Sequence, residues 1–135
     1  MAESSLGKMR IAVVDDEKML LNVFSSLLKH SRYRADFFSN PQKAMTAITD
    51  NPSRYDLLIS DVRMPGMNGL EFAKRVRFLV PKIPIIFMAW DLSEELKNEV
   101  AALGNTLCLE KPFPLEETLK ETIPKFLTHQ RPQFP

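Results

Sequence analysis

A single cysteine, Cys108, stands among 135 residues. No disulfide can therefore form within the chain, which fits a reducing cytoplasm. Long apolar runs are missing too. No stretch approaches the ~18 apolar residues that a membrane span needs, and the opening MAESSLGKMR lacks the apolar centre of a secretion signal. Neither sign of charge dominates. Eighteen Lys and Arg are interspersed with 17 Asp and Glu for a net charge of +1. There is no basic block to grip nucleic acid and no acidic tail to act as a solvating segment. The two histidines, His30 and His129, are isolated and read as surface residues. Internal repeats and low-complexity segments are absent. These absences predict a cytoplasmic protein that neither enters a membrane nor binds nucleic acid directly.

The chain does have the makings of one core. Apolar residues make up 44% and charged residues 26%, and the length suits one domain. The run MRIAVV (9–14) reads as a buried strand. From Lys18 the period changes: Met19, Leu20, Val23, Phe24, Leu27 and Leu28 recur at helical spacing and predict an inward face. Residues 33–38 predict a second strand. Asn40-Pro41 predicts a helix start, with Asn40 as cap, and places Ala44, Met45 and Ile48 inward. Leu57-Leu58-Ile59 predicts a third strand. A helix over 70–80 turns Leu70, Ala73, Val76 and either Arg77's stem or Leu79 to the core.

A fourth strand spans 83–88. Ser93 caps the next helix, Leu96, Val100 and Leu103 line its inner face, and Gly104 ends it. Leu107-Cys108-Leu109 is a fifth strand. A last helix over 115–127 carries Pro124, which kinks it or ends its regular hydrogen bonding. The polar, proline-rich THQRPQFP (128–135) reads as a tail or linker stub, and 1–8 as an amino-terminal tail. Continuous apolar strands alternating with helices imply an α/β fold: a doubly wound parallel sheet covered on both faces. In such sheets ligands sit at the carboxyl ends of the strands.

Those ends carry the chemistry. The first strand runs into Asp15-Asp16-Glu17, the third into Asp61, the fourth into Ala89-Trp90, and the fifth into Glu110-Lys111-Pro112. Crowded carboxylates repel unless a cation joins them, and hard oxygen ligands at an open, wet site suit Mg2+. Lys111 adds a point charge for one more anion. The anion best served by Mg2+ and a lysine is a phosphoryl group, and a carboxylate there can be the nucleophile that forms an aspartyl phosphate.

VVDDE (13–17), SDVRMPGMNG (60–69) and EKPF (110–113) resemble, in order and spacing, the three signature segments of the receiver domains of two-component response regulators. The resemblance covers 9–127. It implies a flavodoxin-like five-stranded sheet in the order 2-1-3-4-5 and a signalling module that catalyses its own phosphorylation and dephosphorylation instead of acting as an enzyme on other substrates. Asp61 would accept the phosphoryl group from a sensor histidine kinase, a phosphotransfer protein or a small acyl phosphate. Asp16, Asp61 and the backbone carbonyl of Arg63 would ligate Mg2+, and Asp15 would hold a metal-bound water. Lys111 would bind a phosphoryl oxygen, next to a cis Lys111–Pro112 bond. Met64-Pro65 and Gly69 would shape the loop beyond Asp61, with glycine supplying a backbone angle other residues resist. The last two helices and the fifth strand would contact an output domain or target protein of unknown identity.

The chain also departs from that pattern. Ala89 stands where the family usually has the Thr or Ser whose hydroxyl binds the phosphoryl group, and Cys108 stands where it often has Tyr or Phe. Both halves of a common switch are missing, which predicts a phosphorylatable site read out by a non-standard route. Trp90 replaces a small residue and has three readings: packing on the following helix, a lid on the pocket, or a partner surface. Arg63 and Asp91 sit two positions beyond Asp61 and Ala89 and are placed to pair across the pocket mouth. The alternative to a phosphoacceptor is a pseudo-receiver that binds proteins without phosphorylation. A Mg2+-dependent phosphohydrolase is disfavoured, because Arg63 occupies the position of its second acid. The sequence is compatible with a stand-alone receiver and with a piece cut at a linker.

Overall fold

The computed structural model describes residues 9–29, 31–64 and 66–129. The expected tail 1–8, most of the tail 128–135, His30, Pro65 and the side chain of His129 lie outside them. Five strands alternate with helices: β1 (Met9–Val14), α1 (Lys18–Leu28), β2 (Tyr33–Phe38), α2 (Pro41–Asp50), β3 (Leu57–Asp61), α3 (Gly69–Leu79), β4 (Ile85–Ala89), α4 (Glu94–Leu103) and β5 (Thr106–Glu110). The final helix, α5, has three parts: Leu115–Glu117, a π-helical turn Thr118–Thr122, and Ile123–His129. All strand pairs are parallel, in the order β2-β1-β3-β4-β5. This is the expected doubly wound α/β fold. Among the described residues no helix is long and apolar enough to cross a membrane.

Alternation along the strands divides the core in two. Ala12, Val14, Leu58, Ile85, Phe87 and Ala89 face α2, α3 and α4, where they meet Ala44, Ile48, Phe72, Val76 and Val100. Ile11, Val13, Leu57, Ile59, Ile86 and Met88 face α1 and α5, where they meet Phe24, Leu28, Leu119, Ile123 and Phe126. Strands buried on both faces must be apolar throughout, which is why they read as continuous runs.

Helix starts follow local chemistry. The side chains of Asn40, Asn68 and Ser93 each accept an N–H from the first turn of the helix they precede. Gly104, at φ +74°, ends α4.

Several details correct the sequence reading. The inward stripe of α1 is Leu21, Phe24 and Leu28, while Met19 is 81% and Val23 45% exposed. KMLLNVFSSLL is apolar on more than one side, so periodicity cannot select the buried stripe. Phe72, absent from the expected face of α3, is fully buried. The Pro124 irregularity takes the form of the π turn just upstream, where Ile123 N–H reaches the Thr118 carbonyl. The last helix continues to His129, two residues past its expected end. Arg77 does not merely lay its stem on the core. Its guanidinium donates to the carbonyls of Pro81 and Ile83 before β4 and of Gly104 (2.6 Å) and Asn105 before β5.

Candidate functional site

Parallel register brings the chemistry together. Val14 pairs with Ser60, so the next residues, Asp15 and Asp61, lie side by side at the ends of β1 and β3. Backbone bonds hold this edge open. Asp15 N–H donates to the Phe38 carbonyl (3.0 Å), Val62 N–H to that of Met88 (3.0 Å) and Lys111 N–H to that of Ala89 (2.7 Å). Carboxylate oxygens of Asp15, Asp16 and Asp61 lie within 4.8 Å of one another. Asp15 and Asp61 are buried and Asp16 is exposed, which gives a pocket walled by protein and open to water on one side.

Lys111 enters this cluster from the end of β5 and is itself buried. Its Nζ lies 2.9 Å from Asp15 Oδ2, 2.5 Å from Glu17 Oε1 and 3.4 Å from Asp61 Oδ2. One ammonium does not neutralise the cluster. Burial, then the Asp15 charge, push the Asp61 carboxyl up from 3.8 to about 6, against the pull of Lys111. Burial likewise raises Asp15, opposed by its bonds to Lys111 and to the Glu17 N–H. For Lys111 burial alone would lower the pKa, but its hydrogen bonds to Glu17 and Asp15 outweigh burial and raise it. Three converging oxygen donors short of positive charge are a fitting set for a hard divalent cation.

The loop beyond Asp61 is pinned by close approach. Gly69 N–H donates to the Val62 carbonyl at 2.6 Å. A Cβ on Gly69 would overlap the Asp61 carbonyl oxygen and come within 2.8 Å of Val62 Cα. The expected reason for glycine here is therefore corrected. Gly69 has ordinary helical geometry, and the positive φ in this loop belongs to Gly66, at +92°. The Lys111–Pro112 bond is cis, as the resemblance implies.

The two departures lie on one side of the sheet. Ala89 is the last residue of β4 and 3% exposed, and Cys108 is half-buried on β5 beside Phe87. Both pack into the α2–α3–α4 layer. Burial pushes the Cys108 thiol up, which keeps it protonated and inert. Trp90, 57% exposed, is not a core-packing residue. Its ring centroid lies 5.8 Å from Lys111 Nζ, and with Met19, Leu20, Val23, Pro112 and Phe113 it lines a groove beside the pocket. Arg63 and Asp91 are both exposed, and among the described residues no ion pair joins them, contrary to the expected bridge across the mouth.

Two features escaped the sequence reading: the role of Glu17 as a partner of Lys111, and the exposed apolar stripe of α1. The first had a signal, a third acid directly after the pair. The second had none, because exposed and buried stripes have the same composition.

Comparison with known proteins agrees with this fold. The response regulator receiver domain family matches residues 11–123. The two-component response regulator ARR12 of Arabidopsis thaliana is 32% identical over 109 residues, covering 81% of this chain and 18% of that protein. The transcriptional regulatory protein ZraR of Salmonella typhimurium is 32% identical over 125 residues, covering 93% and 28%. The chain thus spans well under a third of these relatives. Among solved structures, the Vibrio cholerae chemotaxis protein CheY4 is 32% identical with a TM-score of 0.79, covering 88% of this chain and 98% of that one. The non-phosphorylated HemR receiver domain of Leptospira biflexa, 24% identical with a TM-score of 0.83 over 93% and 99%, shares the fold.

Proposed function

This chain belongs to the response regulator receiver domain family, and from that premise we propose that Asp61 accepts a phosphoryl group from a histidine kinase or phosphotransfer protein, with Mg2+ in the acidic pocket. The observation that carries the reading is the convergence of Asp15, Asp16 and Asp61 on one point with the Lys111 ammonium against them. Asp16, Asp61 and the Arg63 carbonyl would hold the metal, with Asp15 behind a bound water. The ion would supply positive charge to the phosphoryl oxygens.

The chain's own residues do the rest. A lone pair on an Asp61 carboxylate oxygen forms the new P–O bond. The P–N bond of a phosphohistidine breaks, and its electron pair leaves with the imidazole. Lys111 donates an N–H to a phosphoryl oxygen. The buried Ala89 methyl offers no hydrogen bond there, so the bound phosphoryl group has one contact fewer than in relatives with a hydroxyl. The exposed Met19, Val23 and Trp90 flank the entrance beside Lys111 and suit a donor that presents an apolar helical face. Domain limits near 9–127, contact with an output partner through α4, β5 and α5, and a cytoplasmic location belong to the same reading.

A pseudo-receiver is the competing view, favoured by Ala89 and Cys108. Acetyl phosphate with Mg2+ separates the two. The phosphoacceptor reading expects a mass increase of one phosphoryl group that needs Mg2+ and disappears in Asp61→Asn. An unmodified wild-type protein would decide for the pseudo-receiver.

A further inference from the structure

Two of the three N–H bonds of Lys111 donate to carboxylates, those of Asp15 and Glu17, and Asp61 is a more distant ion-pair partner at 3.4 Å. Both close acceptors hold the ammonium on the Asp15–Glu17 side, nearer to them than to Asp61. A phosphoryl oxygen on Asp61 competes with them for the ammonium hydrogens, and the partner that yields most easily sets how readily the lysine turns to it. Asp15 and Asp61 are fixed on strand ends, with side chains 0% and 8% exposed. Glu17 lies beyond β1, and its side chain is 43% exposed. It occupies the N-cap position of α1, yet its side chain makes no capping bond to that helix. Its carboxylate reaches across to Lys111 instead, at the shortest of the three distances, 2.5 Å.

We infer that Glu17 is a latch, a positioning residue that holds the Lys111 ammonium away from the phosphoryl site and sets how readily the site takes a phosphoryl group. The inference rests on the phosphoacceptor reading of Asp61. In the unloaded state Glu17 occupies one ammonium hydrogen. As the Asp61 oxygen bonds to phosphorus and the donor departs with its electron pair, that hydrogen passes from the Glu17 carboxylate to a phosphoryl oxygen. No proton is transferred, only the hydrogen-bond acceptor changes. Glu17 then swings into water, where an exposed carboxylate is readily hydrated. Asp15 and Asp61 cannot do this without uncovering buried charge.

Two substitutions separate contact from charge. Glu17→Ala removes both. Glu17→Asp keeps the charge and withdraws the carboxylate by one methylene. The measurements are beryllofluoride binding by calorimetry and the rate of phosphorylation by acetyl phosphate, each with Mg2+ saturating for every variant. Both variants are expected to tighten beryllofluoride binding and to speed phosphorylation, by about threefold to tenfold, the scale of one partly exposed charge-assisted contact. Variants that bind beryllofluoride no better than wild type overturn the latch, as does a Glu17→Asp protein that matches wild type while Glu17→Ala gains, since charge alone would then explain the effect. If wild type takes neither beryllofluoride nor phosphate, the phosphoacceptor reading falls and the latch with it. If wild type takes both and the variants gain nothing, the latch alone falls.

Discussion

Replacing Asp61 with asparagine is expected to stabilise the metal-free fold while abolishing phosphorylation. The Asp61 side chain is 8% exposed and is crowded by Asp15, so its pKa rises from 3.8 to about 6. At neutral pH the native state therefore holds a charge it disfavours, by roughly 3 kcal/mol at most. Asparagine keeps the shape and removes the charge, and the Lys111 attraction at 3.4 Å that it forgoes is already included in that figure. A net gain of about 2–3 kcal/mol follows, or on the order of 10 °C in melting temperature for a domain of this size.

The sign is fixed by proton binding. Between pH 3.8 and about 6 the native wild type binds a proton at Asp61 that the unfolded chain does not. Wild-type stability from this group thus rises as pH falls, and the advantage of Asp61→Asn is full above about 6 and fades towards 3.8. Urea unfolding in EDTA across that range measures it. Mg2+ should narrow the gap at neutral pH by binding native wild type more tightly. A variant less stable than wild type in EDTA at neutral pH, or a gap that ignores pH across the window, would refute the reasoning.

Ala89→Thr should tighten beryllofluoride binding about tenfold, the worth of one hydrogen bond to a charged group; calorimetry showing equal affinity would remove Ala89 from the phosphoryl site. Gly69→Ala should destabilise by at least about 2 kcal/mol, because its Cβ has no room against the backbone of Asp61 and Val62; a denaturation midpoint near wild type would contradict that packing. Trp90 is the only indole, so its fluorescence should change when Mg2+ and beryllofluoride draw on Lys111, 5.8 Å from its ring; a constant spectrum would separate Trp90 from the pocket. Paired Met19→Glu and Val23→Glu should slow transfer from a protein donor while leaving acetyl phosphate labelling unchanged, and equal losses with both donors would count against a docking role.

The order of elements was legible because most boundaries have their own chemistry: Asn40-Pro41 and Ser93 as caps, Gly104 as a stop, and strands apolar on both faces. The pocket was legible for a related reason. Asp15, Asp16, Asp61 and Lys111 each lie within two residues of the end of an apolar run, and a parallel sheet gathers such residues at one edge. What was not legible depends on rotation and reach. Helix α1 is apolar on two sides, and only packing in one cluster with the sheet and α5 shows that Leu21 and Phe24 turn inward while Met19 and Val23 stay out. Glu17 stood at the end of the first strand without an assigned role, because its partner is 94 residues away. The Arg63–Asp91 pairing failed for the same reason: positions counted from two strand ends do not say where two long side chains go.

Arg77 gives the sheet a fulcrum. Its guanidinium ties together the backbone just before β4 and just before β5, at the end of the sheet remote from Asp61. The opposite end of the same strand pair carries Ala89 and Lys111, joined by the Lys111 N–H to Ala89 carbonyl bond. Each strand is five residues long, a lever arm of roughly 16 Å. A tilt of about 4° at the pinned base moves the tip by about 1 Å over that length. A tilt of this strand pair would thereby be amplified where the carboxylates are and suppressed where the arginine is.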